Sequence, residues 1–152
     1  MIKKVLLGIL LLATSSLVFG QDLVKKNDLY YKRDALYTGT HVEEYENGET
    51  KLEISIVNGQ PHGTMILYYE NGNRKEKRYY LRGEKDSLWI EWDRQGNKKA
   101  EARYSKGKKH GHWYIWDKNG TLRYEMVYKN GKKSGTWKMW NDEGKLVSEK
   151  EF

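Results

Sequence analysis

Gly111-His112-Trp113-Tyr114-Ile115-Trp116-Asp117-Lys118-Asn119-Gly120-Thr121-Leu122-Arg123-Tyr124-Glu125-Met126-Val127-Tyr128-Lys129-Asn130-Gly131-Lys132-Lys133-Ser134-Gly135 holds one complete period of a repeat. Three glycine columns carry that period through the chain. Gly39, Gly63, Gly111 and Gly135 fall 24 residues apart or a multiple of it, and Ser87 fills the missing place. Gly48, Gly72, Gly96, Gly120 and Gly144 form the second column. Gly59, Gly83, Gly107 and Gly131 form the third, preceded by Ala35. Three columns in register over more than 100 residues mark a stack of small units, each burying its apolar surface on its neighbours.

The columns have distinct turn chemistry. Asn47-Gly48, Asn71-Gly72 and Asn119-Gly120 separate β-rich runs, and Asn-Gly there predicts a tight type I′ hairpin turn. The third column, as in Asn58-Gly59 and Asn130-Gly131, predicts a longer and looser turn. The first column opens a strand, where a missing side chain permits close backbone approach or a bulge.

Each unit therefore supplies two strands. The second alternates apolar and polar residues: Leu122, Tyr124, Met126 and Tyr128 against Arg123 and Glu125, and Thr50, Leu52, Ile54 and Ile56 against Lys51, Glu53 and Ser55. Period two with one apolar face predicts a half-exposed antiparallel sheet. The first strand carries paired tryptophans, Trp89/Trp92, Trp113/Trp116 and Trp137/Trp140, with Met65/Tyr68 one unit earlier. A spacing of three sends the members of each pair to opposite faces. One row then packs on second-strand residues such as Tyr104, Tyr128 and Phe152 while the other lines a concave face. The sequence leaves open which row does which. No sustained helical period occurs after residue 22, so the expected fold is all-β: an elongated, single-layer antiparallel solenoid of 24-residue hairpins, curved into a trough.

Composition agrees with a thin structure. Apolar residues make up 38% of the 152 residues, yet aromatics reach 13%, with twelve Tyr and six Trp against two Phe. Amphipathic rings of this kind suit surfaces that stay near water. The absence of cysteine rules out disulfides and thiolate metal sites.

The first twenty residues read as a secretory signal. Lys3-Lys4 is basic, Val5 to Leu12 is apolar, and a small-residue stretch leads to Gly20 before Gln21. The apolar run is too short to span a bilayer. An uncleaved N-terminal anchor is the alternative. Removing Lys3 and Lys4 leaves 26 basic and 21 acidic side chains, a net charge of +5. With acids interleaved throughout and export expected, nucleic acid is not an expected partner. The expected organisation is a signal over residues 1–20, an N-terminal half-repeat cap over 21–38, and repeats over 39–62, 63–86, 87–110, 111–134 and 135–152. In the cap, Leu29-Tyr30-Tyr31-Lys32 reads as a second strand protecting the open sheet edge.

Gly111-His112-Trp113-Tyr114-Ile115-Trp116, with Tyr128-Lys129-Asn130-Gly131-Lys132-Lys133-Ser134-Gly135, resembles the bacterial MORN repeat (membrane occupation and recognition nexus). The unit from Gly63 to Gly83 fits well and that at Ser87 loses its glycine. The unit at Gly39 departs most, with His41 and Glu44 at aromatic places. The resemblance implies stacked hairpins and no catalytic residue or cofactor. In eukaryotic relatives it goes with membranes, phosphoinositides and scaffolding, and bacterial relatives are often labelled antitoxins.

Two sets of residues stand out as candidates for partner binding. The first is the two tryptophan rows, Trp89, Trp113, Trp137 and Trp92, Trp116, Trp140. The second is a lysine ridge, Lys106, Lys108, Lys109, Lys129, Lys132 and Lys133, suited to anionic lipid or glycan if it is more than turn solvation. His110 and His112 could share a strand face, without an acid placed to complete a metal site. Asp93, Asp117 and Asn141 begin the second-column turns and read as turn caps. With no nucleophile elbow and no phosphate loop, the expectation is a non-enzymatic module that binds or scaffolds another envelope protein, periplasmic or secreted. A lipid- or glycan-binding envelope protein and an antitoxin-like immunity protein are the alternatives.

Overall fold

The computed structural model describes residues 23–152. The expected signal and its cleavage after Gly20 lie outside the described residues. Those described form strands and turns only.

Three short strands come first: β1 (Val24–Lys26), β2 (Leu29–Lys32) and β3 (Ala35–Leu36). The long sheet follows as β4 (Gly39–Glu44), β5 (Thr50–Val57), β6 (Gln60–Tyr68), β7 (Arg74–Leu81), β8 (Glu84–Trp92), β9 (Lys98–Ser105), β10 (Lys108–Lys109), β11 (Gly111–Trp116), β12 (Leu122–Lys129), β13 (Lys132–Trp140) and β14 (Leu146–Glu151). Every pairing is antiparallel between sequence neighbours, and β10 with β11 together form one interrupted strand against β9. The sheet of 11 strands is open, running from β4 to β14 without closing. Antiparallel neighbours joined by short turns are what alternating strands and a glycine every dozen residues dictate.

The two kinds of turn are the reverse of the sequence expectation. In the third column both central residues take positive φ: Asn58 and Gly59, Arg82 and Gly83, Lys106 and Gly107, Asn130 and Gly131. With β5 ending at Val57 and β6 starting at Gln60, these are the tight two-residue type I′ turns. In the second column only the glycine is left-handed. Gly48 N–H donates to the Tyr45 carbonyl (3.0 Å) and Tyr45 N–H to that of Glu49 (2.8 Å), closing a longer loop that ends in a left-handed glycine. Asn47 adds a side-chain acceptor for the Glu49 N–H at 3.0 Å, so its turn role is through its amide and not its φ.

The first column marks a bulge. Val127 pairs with Ser134 and Glu125 with Lys138, so two steps on β12 face four on β13. Tyr79–Asp86 and Lys77–Ile90 repeat this between β7 and β8. Gly63, Gly111 and Gly135 sit in these bulges with φ of 94°, 73° and 59°, and Ser87 takes the same left-handed conformation at 54°.

Adjacent units are also zipped at both ends. Gly83, Gly107 and Gly131 donate their N–H to the carbonyls of Pro61, Lys85 and Lys109, each at 2.8 Å. At the longer turns Tyr45 and Tyr69 donate their hydroxyls to the carbonyls of Tyr68 (2.8 Å) and Trp92 (3.0 Å), one unit on. Asp93, Asp117 and Asn141 occupy that column later and fold back on their own turns instead. Asp93 accepts from Gln95 and Asn97 N–H, Asp117 from Asn119 and Thr121, and Asn141 from Lys145.

Residues 24–36 differ from an edge-capping half-repeat. They make a separate three-stranded sheet with left-handed turns at Asn27-Asp28 and Arg33-Asp34, and β4 pairs only with β5. This small sheet docks on the β5–β6 turn: Tyr30 N–H donates to Gly59 O (2.8 Å), and Gly59 N–H to Tyr37 O (2.7 Å). A Cβ on Gly59 would lie 2.6 Å from Leu36 Cδ2 and 3.1 Å from the Tyr30 carbonyl, so only glycine lets the two meet. Ile54 and Ile56, at 1% exposure each, are the fully buried side chains of the described residues.

Two predictions follow from the turns. A left-handed residue other than glycine costs about 1–2 kcal/mol, partly offset by the extra unfolded-state entropy of glycine. Ser87→Gly is therefore expected to raise stability by about 0.5–1 kcal/mol, read as a higher urea midpoint at unchanged m-value. The second concerns acid. The Asn97 side chain, with backbone N–H groups, holds Asp93 below the usual aspartate range. At Asp117 burial pushes upward, but the Asn119 and Thr121 N–H groups and Arg123 outweigh it and the net shift is also downward. A depressed folded-state pKa gives stability that is present above the unfolded value and lost as pH falls through it. Asp93→Asn with Asp117→Asn keeps the turn acceptor, as Asn141 does naturally. The drop in urea midpoint between about pH 6 and about pH 3, on either side of the ordinary value of about 3.9, should be smaller in this variant than in the wild type.

Candidate functional site

Strand register assigns the two tryptophan rows. Trp89 lies opposite Ala102, Trp113 opposite Met126 and Trp137 opposite Lys150. These side chains share one face with Tyr80, Tyr104, Tyr128 and Phe152, in an unbroken aromatic stack. Ring centroids along Tyr80–Trp89–Tyr104–Trp113–Tyr128–Trp137–Phe152 are separated by 5.4, 4.9, 5.2, 5.2, 5.1 and 4.9 Å. Interplanar angles of 49° to 60° set ring edges against ring faces, the arrangement the aromatic quadrupole favours. The row that packs on the second strands is thus Trp89, Trp113 and Trp137.

The bulge explains their orientation. Trp89 Nε1–H donates to Tyr79 O at 3.0 Å, Trp113 to Arg103 O at 3.0 Å and Trp137 to Val127 O at 2.9 Å. Each acceptor lies ten residues earlier, on the strand facing the bulge, where the ladder is interrupted. The indole N–H is a second donor to its carbonyl, since Arg103 O also accepts from the His110 N–H at 2.9 Å, and it fixes the ring in the stack.

Cations lie over the same rings. Lys85 Nζ is 4.8 Å from the Trp89 ring centre and 5.2 Å from that of Tyr104. Lys109 is 4.4 Å from Trp113 and 4.8 Å from Tyr128. Lys133 is 4.3 Å from Trp137 and 4.6 Å from Phe152. Arg78 lies 5.2 Å over Trp89 and is ion-paired with Glu76. The ammonium-over-ring geometry is the cation–π arrangement, and here it recurs in three successive units. The structure therefore divides the lysine ridge. Lys109 and Lys133 belong to the aromatic face, whereas Lys106, Lys108, Lys129 and Lys132 are exposed at the tight-turn end. Lys85 completes the face row, and the 24-residue column containing Lys109 and Lys133 was the sequence signal for it.

Trp92, Trp116 and Trp140 are on the opposite face and are half-buried. Trp116 stacks 5.8 Å from Tyr114, which stacks 5.8 Å from His112, and Lys98 lies 5.4 Å over Trp116. Tyr114 is opposite both Glu101 and Glu125, and burial together with these two carboxylates pushes its phenol above the ordinary value. His112 Nδ1 is 3.4 Å from Glu125, so an acid does stand beside this histidine, on the neighbouring strand where sequence spacing did not reveal it. Among the described residues no three His, Asp or Glu side chains converge as a metal site.

Two hollows interrupt the aromatic face. The larger, about 730 Å³, lies where the N-terminal sheet meets the first units and is lined by Lys25, Tyr30, Ile54, Met65, Arg78 and Tyr80. The smaller, about 190 Å³, is lined by Ala100, Ala102, Trp89 and Trp113 together with Glu76, Arg78 and Glu91. In other units bulkier residues, such as Tyr124 and Met126, occupy the places of these alanines.

A model of the MORN repeat variant matches residues 61–81, 109–130 and 133–152. Each matched stretch contains or borders a left-handed bulge and its following aromatic strand. The chain carries MORN repeats. The MORN unit at Ser87 lies largely outside the three matches, in keeping with its lost glycine. No curated protein matches the chain. MORN repeats are compatible with a binding or scaffolding module and are generally non-enzymatic. No helix among the described residues is long and apolar enough to cross a membrane.

The two rows should answer differently to mutation. Trp113→Phe keeps a ring in the stack but removes the bond to Arg103 O, at a cost of about 1 kcal/mol in urea unfolding. Trp116→Phe removes no protein hydrogen bond of the indole and should cost less than half of that.

Proposed function

We propose that this MORN-repeat chain is an exported, non-enzymatic module that binds and scaffolds other proteins at the cell envelope. The observation that carries the reading is the open sheet, whose two faces present repeated aromatic and charged side chains instead of a closed core. A single layer in which, among the described residues, only the Ile54 and Ile56 side chains are fully buried leaves most side chains within reach of a partner. The signal-like residues 1–20 support export. The exposed Lys106, Lys108, Lys129 and Lys132 favour a second reading, contact with anionic lipid or glycan.

Crosslinking capture with the tagged full chain, from the envelope fraction of its own cell, tests both parts. The expected result is a recovered chain beginning at Gln21 and one stoichiometric protein partner. That partner should be lost from either a Lys85→Gln/Lys109→Gln/Lys133→Gln variant or a Tyr114→Ala/Trp116→Ala variant, each shown by circular dichroism to fold. Recovery of lipid or glycan alone would sink the protein-scaffold reading, and a chain that keeps Met1 in the cytoplasm would sink export.

A further inference from the structure

We infer that the aromatic face takes an acidic polyproline II segment of a partner protein, laid across the strands with a carboxylate at every third residue. The inference rests on the protein-binding reading above and names the partner's chemistry.

Spacing is the first support. Lys85, Lys109 and Lys133 lie on β8, β10 and β13, each two strands from the next. Two strand spacings amount to about 9.5 Å. A polyproline II helix has three residues per turn and a rise of about 3.1 Å per residue, hence a repeat of about 9.3 Å. Side chains three apart on such a helix project in the same direction at nearly the spacing of the lysines. A partner β-strand repeats every two residues, about 6.6 Å, and falls out of step after one lysine.

Charge is the second. Among the described residues none of these three ammoniums is paired with a carboxylate, unlike Lys98, Lys99 and Arg78. Their places in the fold recur. The Lys85 and Lys109 carbonyls each accept from the glycine N–H of the next tight turn, and all three ammoniums are held over two rings each. A row of evenly spaced, unpaired cations is complementary to an equally spaced row of carboxylates.

Shape is the third. The hollow of about 190 Å³ lined by Trp89, Trp113, Ala100 and Ala102 has room for one proline ring beside the lysine row, and its two carboxylates, Glu76 and Glu91, are ion-paired with Arg78 and Lys99. Aromatic-lined recesses separated by polar contacts are how Pro-rich segments are generally held, because the helix is preformed and costs little ordering.

The test is fluorescence anisotropy of the full chain against a labelled peptide of five Glu-Pro-Pro triplets. Three comparisons accompany it: the same peptide with Gln for Glu, a block peptide of five glutamates followed by ten prolines, and the Lys85→Gln/Lys109→Gln/Lys133→Gln variant. The triplet peptide should bind at least about tenfold more tightly than either control peptide and lose about tenfold on the variant, as expected for several exposed charge contacts acting together. A Lys106→Gln/Lys108→Gln/Lys132→Gln variant, equally reduced in charge, should bind like the wild type. Equal affinity for the block peptide, or an equal loss in the second variant, would show unpatterned charge attraction and overturn the inference, as would no binding. If the peptide fails while crosslinking still captures a protein, the scaffold reading stands and only this partner chemistry falls. If neither binds, both fall.

Discussion

The interaction on which the sheet depends is the bond from a tryptophan indole N–H to a carbonyl ten residues earlier, repeated at Trp89, Trp113 and Trp137. It is possible only because the preceding residues leave the ladder in a bulge through a left-handed backbone, at Ser87, Gly111 and Gly135. The bulge opens room for a second donor at the carbonyl opposite: Arg103 O accepts from the His110 N–H at 2.9 Å and from the Trp113 indole at 3.0 Å. The indole takes that second place and is held in one orientation by doing so. Each ring can then fill the space between aromatics on the strands to either side, and each unit is tied to the next.

From this follows an unusual distribution of stability. A single layer has no dry interior, and among the described residues only the side chains of Ile54 and Ile56, near the docked N-terminal sheet, are removed from water altogether. The remainder rests on backbone ladders, on tilted ring contacts and on the long side chains that lie along them. Lysine suits this role because its methylene stem covers apolar surface while the ammonium stays wet. The same side chains that finish the packing thereby form the charged outer surface, so structure and candidate binding site coincide on the aromatic face. The opposite face sets Tyr114 between Glu101 and Glu125.

Much of this was legible in the chain. The period, the all-β class, the alternation of the second strand and the existence of two tryptophan rows were all visible, because a repeat writes the same constraint several times. The turns were visible in place but exchanged in kind. Asn-Gly occurs in both columns, at Asn47-Gly48 and at Asn58-Gly59, so the dipeptide alone does not separate them. What separates them is how many residues the flanking strands leave unpaired, which is a property of register. The lysine ridge was read as one edge for a related reason. Lys108 and Lys109 are neighbours in sequence, yet successive residues of a strand point to opposite sides. Lys109 therefore joins Lys85 and Lys133 over the rings, leaving Lys108 at the exposed turn end.

By itself the sequence determined the repeating unit: where the chain turns, which residues alternate and which families of side chain recur at each place. Those depend on local backbone preference and on period, and both are properties of short stretches. Only the tertiary structure decided which tryptophan row packs, which lysines stand over it, and where residues 24–36 dock. The choice of row depends on two extra residues in each bulge, which shift the pairing between strands. The docking of the first residues depends on a close approach of Leu36 and Tyr30 to Gly59. Contacts of this kind join positions with no shared local pattern, and no reading of either stretch alone contains them.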